Sequence, residues 1–184
     1  MNALLAKIHA NANRRLRLPP GRKPAEELSR YRAFLKEETA RLRILHRSEA
    51  GGVEVCRARA AMMDILIQHL FDSVREAFPS KGRPPRLALV AYGGYGRAEL
   101  NPYSDIDLMF LHDGRRDAET TLGEWTSGLL YTLWDVGLKV GHSLRTVDDC
   151  VKVANQDMQS KTALMEARLV TGDEPLFKAF QKAF

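Results

Sequence analysis

Apolar residues along the first part of the chain recur at three- and four-residue steps. Leu28, Tyr31, Phe34, Leu35, Leu42 and Leu45 keep that rhythm and predict a helix over 25–47. Gly51 and Gly52 interrupt it. A second helix is predicted from about Val53 to Phe78, with Ile65, Leu66, His69, Leu70 and Val74 on one stripe. Pro79, Gly82, Pro84 and Pro85 then force a turn. Beyond it the period changes. LALVAY (87–92) is a short, continuous apolar run between turn residues, which predicts a buried strand. Gly93-Gly94-Tyr95-Gly96 redirects the chain, and IDLMFL (106–111) predicts a second strand. Thr121 with Glu124 has the form of a capping box. It opens a helix through about Val136, with Leu122, Trp125, Leu129, Leu133 and Trp134 turned inward. Alternation over 138–146 predicts a third strand. Thr146 with Asp149 marks another helix start, and helices are expected over 147–155, 159–170 and 173–184, with Gly172 closing the middle one. Residues 11–24, polar, basic and broken by prolines, predict a linker or arm. The expected fold is α+β: a small mixed sheet with packed helices behind a helical N-terminal region. The expected division is a basic arm and helix over 1–50 and one domain over 51–184.

Composition narrows the class. With 45% hydrophobic and 28% charged residues among 184, the chain reads as a globular protein with a real core. It has no apolar run long enough to cross a bilayer, so no membrane role is expected. Lys7 and His9 break the apolar start, which argues against a secretory signal. Cys56 and Cys150 lack metal-ligand spacing and fit a reduced, cytoplasmic protein. Net charge is +5, unevenly spread: residues 1–50 hold 12 Lys and Arg against 5 Glu. The basic segment has few aromatics and no nucleic-acid motif, so a solvated helix surface is expected there and nucleic-acid binding is not.

The candidate chemistry lies in GGYGRAELNPYSDID (93–107). Asp105 and Asp107 are two apart where a strand begins, so their side chains share a face. Leu108 and Phe110 take the opposite parity. Two bare carboxylates on one face repel. A hard divalent cation relieves that repulsion, and Mg²⁺ is held by one or two carboxylates together with substrate phosphates. Gly93 and Gly94, without Cβ atoms, let backbone N–H groups approach phosphate oxygens. Arg97 offers a charge-assisted contact to the same phosphates. Ser104 either holds the turn before the aspartates or meets a phosphate. Rival motifs fail: Glu99 stands where a dinucleotide fingerprint needs glycine or alanine, and no Gly-Lys-Ser/Thr exists. His112-Asp113 ends a strand and lacks the companions a metal phosphohydrolase needs.

The same residues resemble the polymerase-beta-like nucleotidyltransferase superfamily, whose hallmark is Gly-Gly or Gly-Ser followed by Asp-x-Asp. More closely, GGYGRAELNPYSDIDLMFL, LWDVGLKVGHSLRTVDDC (133–150) and ALMEARLVTGDEPLF (163–177) resemble the nucleotidyltransferase region of bacterial PII uridylyltransferase/uridylyl-removing enzymes. The resemblance covers about residues 50–184. It implies Mg²⁺-dependent transfer of UMP from UTP to a tyrosine hydroxyl of the PII signalling protein, with release of pyrophosphate. It also implies that Asp105 and Asp107 are catalytic and bind the metal, with Gly93, Gly94, Arg97 and Ser104 at the nucleotide.

Three departures qualify the match. Ala98 stands where that family usually has glycine. The third strand carries Gly141, His142 and Arg145 but no third carboxylate, leaving Asp135 and Glu166 as candidates beside their bland readings as helix-end and surface residues. Members of that family are longer, with phosphohydrolase and glutamine-sensing domains, so an N-terminal fragment or a natural short relative is expected. His142 is expected to be partly buried; Arg145 reaches either a phosphate or solvent. The alternatives are transfer of another nucleotide such as AMP to a protein or small-molecule hydroxyl, and a nucleotide-binding regulatory module without turnover.

Overall fold

The structure is a computed structural model that describes residues 2–48, 51–80 and 82–184. Helices α1 (Asn2–Arg15), α2 (Leu28–Arg47) and α3 (Gly52–Ala77) precede strand β1 (Leu87–Ala91). One helical turn, α4 (Gly93–Gly96), follows, then β2 (Ile106–His112), α5 (Glu119–Asp135) and β3 (Val140–Arg145). Helices α6 (Val147–Gln156) and α7 (Met158–Met165), strand β4 (Arg168–Gly172) and α8 (Glu174–Lys182) complete the chain. The sheet order is β3-β2-β1-β4, with β1 antiparallel to both β2 and β4, and β2 parallel to β3. The fold is therefore α+β with a small mixed sheet, as expected.

Strand parity builds two cores. Leu87, Leu89 and Ala91 of β1, with Ile106, Leu108 and Phe110 of β2, face α3 and α5. Ala88 and Val90, with Met109 and Leu111, face Cys150 of α6, Leu164 of α7 and Leu176, Phe177 and Phe180 of α8. Helices thus cover both faces, which is why β1 reads as a continuous apolar run. The face that Asp107 shares becomes apolar at Met109, so the acidic character is confined to one end of the strand.

Four expectations need correction. The linker predicted over 11–24 begins as a helix: Ile8, Ala12 and Leu16 are fully buried in the same core as Tyr31 and Phe34. Asn11 is buried because its amide donates to Glu38 at 2.6 Å, a partner sequence spacing does not reveal. The helix predicted over 159–170 ends at Met165, and Arg168–Gly172 is strand β4 instead, because β1 offers it an unpaired edge. The predicted cap at Thr121 does not form: a 3₁₀ turn over Arg116–Ala118 leads the chain into α5, whose N-cap is Ala118, three residues earlier. Trp134, expected inward, is 40% exposed. The cap at Thr146 does form, with Asp149 closing the box reciprocally. No helix among the described residues is long and apolar enough to cross a membrane.

Candidate active site

The register places the carboxyl end of β1 beside the starts of β2, β3 and β4. Ala91 pairs with Leu108 and Arg168, and Ile106 pairs with Val140. At that end α4 turns the chain. Gly93 has φ +59, a left-handed conformation that glycine adopts without strain. The Gly96 amide donates to the Tyr92 carbonyl, so the amides of Gly93 and Gly94 precede the first amide that the turn satisfies. Gly96 is needed for another reason: a Cβ there would overlap the Glu166 carbonyl oxygen.

The turn is held from below. Tyr95 is fully buried, and its hydroxyl donates to Asp64 of α3 at 2.7 Å. Arg168, at the start of β4, grips the same carboxylate through two bonds of 2.8 and 3.0 Å. Its guanidinium also donates to the carbonyls of Tyr95 (3.2 Å) and Gly96 (3.3 Å). Burial, reinforced by the Asp64 charge, drives the Tyr95 phenol well above its ordinary range and keeps it a donor. Sequence reading missed Asp64 and Arg168, since one lies 31 residues before Tyr95 and the other 104 residues beyond Asp64. The next loop is tied to α3: Arg57 pairs with Glu99, and the Cys56 thiol donates to the Asn101 side chain at 3.1 Å.

The carboxylates are treated differently. Asp105 lies just before β2 and is exposed, while Asp107 is half-buried within it. Asp107 occupies a slot made by two glycines. A Cβ on Gly93 would stand 3.5 Å from its Oδ2, and a Cβ on its β3 partner Gly141 would stand only 2.7 Å from its Oδ1. A glycine inside a strand pattern signals such close approach, so Gly141 was findable in the sequence. Burial, then the nearby Asp105 charge, raises the Asp107 carboxyl above its usual range. Tyr92 feels Asp107 as well: burial first, then the Asp107 charge, raises its phenol. Among the described residues no cation pairs with either carboxylate.

The remaining candidates sort themselves around this centre. The Arg97 guanidinium lies over Gly94, which a Cβ would place 3.8 Å from its Nη2, and it pairs with Glu166. Ser104 donates to the Asn101 carbonyl at 3.0 Å, holding the turn before the aspartates. Arg145 is half-buried on the face of Gly141. His142 is exposed, contrary to the expected partial burial, because β3 is the edge strand of the sheet; Trp134 stands edge-on to it at 5.5 Å. Asp135 ends α5 as an exposed residue, with only its carbonyl engaged, by Arg32 at 2.7 Å. His112 lies at the far end of β2, opposite Leu87. Among the described residues no three His, Cys, Asp or Glu side chains form a metal cluster, so neither Asp135 nor Glu166 completes a triad. The donor set still fits Mg²⁺: two oxygen-donor carboxylates in mutual repulsion, in a slot that glycines keep open, suit an ion that completes its shell with water and phosphate.

The family model described as glutamate-ammonia ligase adenylyltransferase matches residues 3–147. The chain belongs to this nucleotidyltransferase family. That match takes in α1 as well as the site. The chain is also 42% identical over 145 residues to a bifunctional uridylyltransferase/uridylyl-removing enzyme of Erythrobacter litoralis, covering 77% of this chain and 16% of the relative. An enzyme of the same name from Phenylobacterium zucineum is 39% identical over 164 residues (82% and 17%), and one from Caulobacter vibrioides 38% over 171 (87% and 18%). The chain therefore spans about a sixth of the length of these curated relatives.

Proposed function

We propose that this end of the sheet transfers a nucleotidyl group, moving UMP from UTP to a tyrosine hydroxyl of the PII nitrogen-regulatory protein with release of pyrophosphate. One observation carries the reading: Asp105 and Asp107, which pair with no cation among the described residues, lie near one another, with Asp107 against a glycine turn fixed in place by buried bonds. The family assignment and the names of the relatives point the same way. In this reading the Gly93 and Gly94 amides receive the triphosphate, and Arg97 moves from Glu166 to a phosphate oxygen. The acceptor oxygen bonds to the α-phosphorus as the bond to the bridging oxygen breaks; pyrophosphate leaves, and the hydroxyl proton passes to water. Asp105 and Asp107 would hold Mg²⁺, which when bound supplies charge neutralisation at the phosphoryl oxygens. Positioning and charge carry such a reaction, so no side chain need serve as a strong base.

A second reading is adenylyl transfer, which the family's description names. The motif faces phosphates and metal, so it does not select the base. Calorimetric titration of the chain with UTP, ATP, CTP and GTP, with and without Mg²⁺, separates the two. Mg²⁺-dependent preference for UTP, followed by labelling of PII, is expected. Preference for ATP favours adenylyl transfer, and no triphosphate binding overturns both.

A further inference from the structure

A second feature lies beside the site and meets it at Arg97, while its other lining residues play no part in the chemistry above. The C-terminal half of α2 and the N-terminal half of α3 form an open groove that starts at Arg97 and Asn101 and ends near Val136 and Leu138. Its floor is aliphatic: Leu35, Leu42, Val55, Met63 and Pro102. Its walls are cationic: Lys36, Arg43, Arg47 and Arg59. Among the described lining residues the only acid is Glu99, at the end nearest the site, where Arg57 neutralises it. Arg59 is half-buried, and its Nε has no hydrogen-bond partner among the described residues. Burial lowers its guanidinium from the ordinary value, as an uncompensated cation requires. Tyr103 stands 94% exposed at the rim, two residues before Asp105.

We propose that this groove docks an acidic polypeptide segment of the protein that the site modifies, a proposal that rests on the reading of the site as one acting on a protein. Charge complementarity names the occupant: a row of cations with no carboxylate partner among the described residues calls for carboxylates. The aliphatic floor distinguishes polypeptide from nucleic acid, because a single-stranded nucleic acid is gripped by stacking on several aromatic rings and Tyr103 alone offers one. Length agrees. Residues 35–47 of α2 span about 18 Å at the helical rise, room for roughly five or six extended residues. A segment lying there leads past Tyr103 toward Asp105, so its acidic part is held while a neighbouring hydroxyl reaches the carboxylates.

The test uses the 184-residue chain and a fluorescein-labelled peptide alternating glutamate with leucine, read by anisotropy. A lysine–leucine peptide and a single-stranded oligouridylate serve as controls. Arg43 and Arg47 are exposed, so the double variant Arg43→Glu/Arg47→Glu keeps the fold, which circular dichroism confirms. Expected are binding of the acidic peptide, weakening with salt, and about tenfold or greater loss in the double variant. Arg59→Gln should also weaken it. Mg²⁺-dependent triphosphate binding is read on the same samples and stays unchanged, so failure of the groove and failure of the nucleotidyl-transfer reading are seen separately. Equal peptide binding by wild type and double variant overturns the proposal, as does tighter binding of the oligouridylate than of the peptide.

Discussion

At the glycine turn the buried polar side chains have partners. Tyr95 bonds to Asp64, Arg168 bonds to Asp64 and to two backbone carbonyls, and Gly96 sits against the Glu166 backbone. At the start of β2 the reverse holds. Asp105 and Asp107 repel each other, Asp107 is half-buried, and no side-chain cation among the described residues answers either. The first region fixes a shape; the second keeps charge unsatisfied. Each depends on the other, since an exposed carboxylate pair has no fixed geometry unless rigid neighbours supply it. Stability is therefore concentrated in the turn, and binding potential in the carboxylates. Substitutions in the two regions should separate along that line.

The largest effect is expected at the carboxylates. Asp107→Asn should cut transfer by about a thousandfold or more, equivalent to about 4 kcal/mol of barrier. The same change should stabilise the chain by about 0.5 kcal/mol, the scale of a relieved like-charge contact. The pH dependence has a definite sign. The folded carboxyl titrates above its unfolded value, so wild type loses stability as pH rises through that window, and the penalty stays in force above it. The gain in Asp107→Asn should then be present at neutral pH and vanish below about pH 3.9, the ordinary carboxyl value. Urea unfolding of both proteins at several pH values checks this. A less stable Asp107→Asn protein at neutral pH would break the contrast.

Asp64→Ala should act the other way, through the fold. It leaves Arg168 without its carboxylate and Tyr95 without its acceptor in a mostly buried setting. A loss of about 3 kcal/mol is expected in urea unfolding, with transfer falling only because the turn loosens. Unchanged stability would mean that the turn is fixed by its glycines alone.

Gly141→Ala bridges the two regions. Its Cβ would meet Asp107 Oδ1 at 2.7 Å, and a side-chain end can rotate away where backbone cannot. The fold should survive, since alanine suits a strand better than glycine does. The carboxylate should move by about 1 Å, which costs transfer about a hundredfold. Activity and melting temperature measured on one sample check it; equal loss of both would place Gly141 with the turn.

Much of this was legible in the chain. The change from helical to strand periodicity located β1 and β2, and the glycine turn with Asp-x-Asp marked the residues that the fold brings together as the candidate site. What stayed hidden depends on partners distant in sequence. Strand β4 begins at the end of ALMEARLV (163–170), a helix-favouring stretch whose last residues become strand because β1 has an edge to pair. Helix α1 looks like a basic arm until Asn11 meets Glu38. Asp64 and Arg168 carry no local mark at all: one is among several polar residues of an amphipathic helix, the other starts the strand that periodicity reads as helix.

The smallest expected effect lies where the chain departs from the family it resembles. Ala98 has φ +57, the only described residue other than glycine in the left-handed region, at a position where that family usually has glycine. A Cβ in that conformation costs about 1–2 kcal/mol. Ala98→Gly removes the strain but loosens the unfolded chain by about 0.4–1 kcal/mol and gives up some packing against the core. The net should be a gain of about 0.5 kcal/mol, a rise of one to a few degrees in melting temperature by the usual scaling. Ala98→Val tests the cause, because a β-branched side chain at positive φ should lower stability by more than glycine raises it. Since Ala98 donates to the Tyr95 carbonyl at 3.0 Å, the strain is borne by the same turn that Asp64 and Arg168 hold. In an Asp64→Ala background that constraint is relaxed, and the gain from Ala98→Gly should shrink. An undiminished gain there would show that the turn keeps its shape without the buried carboxylate.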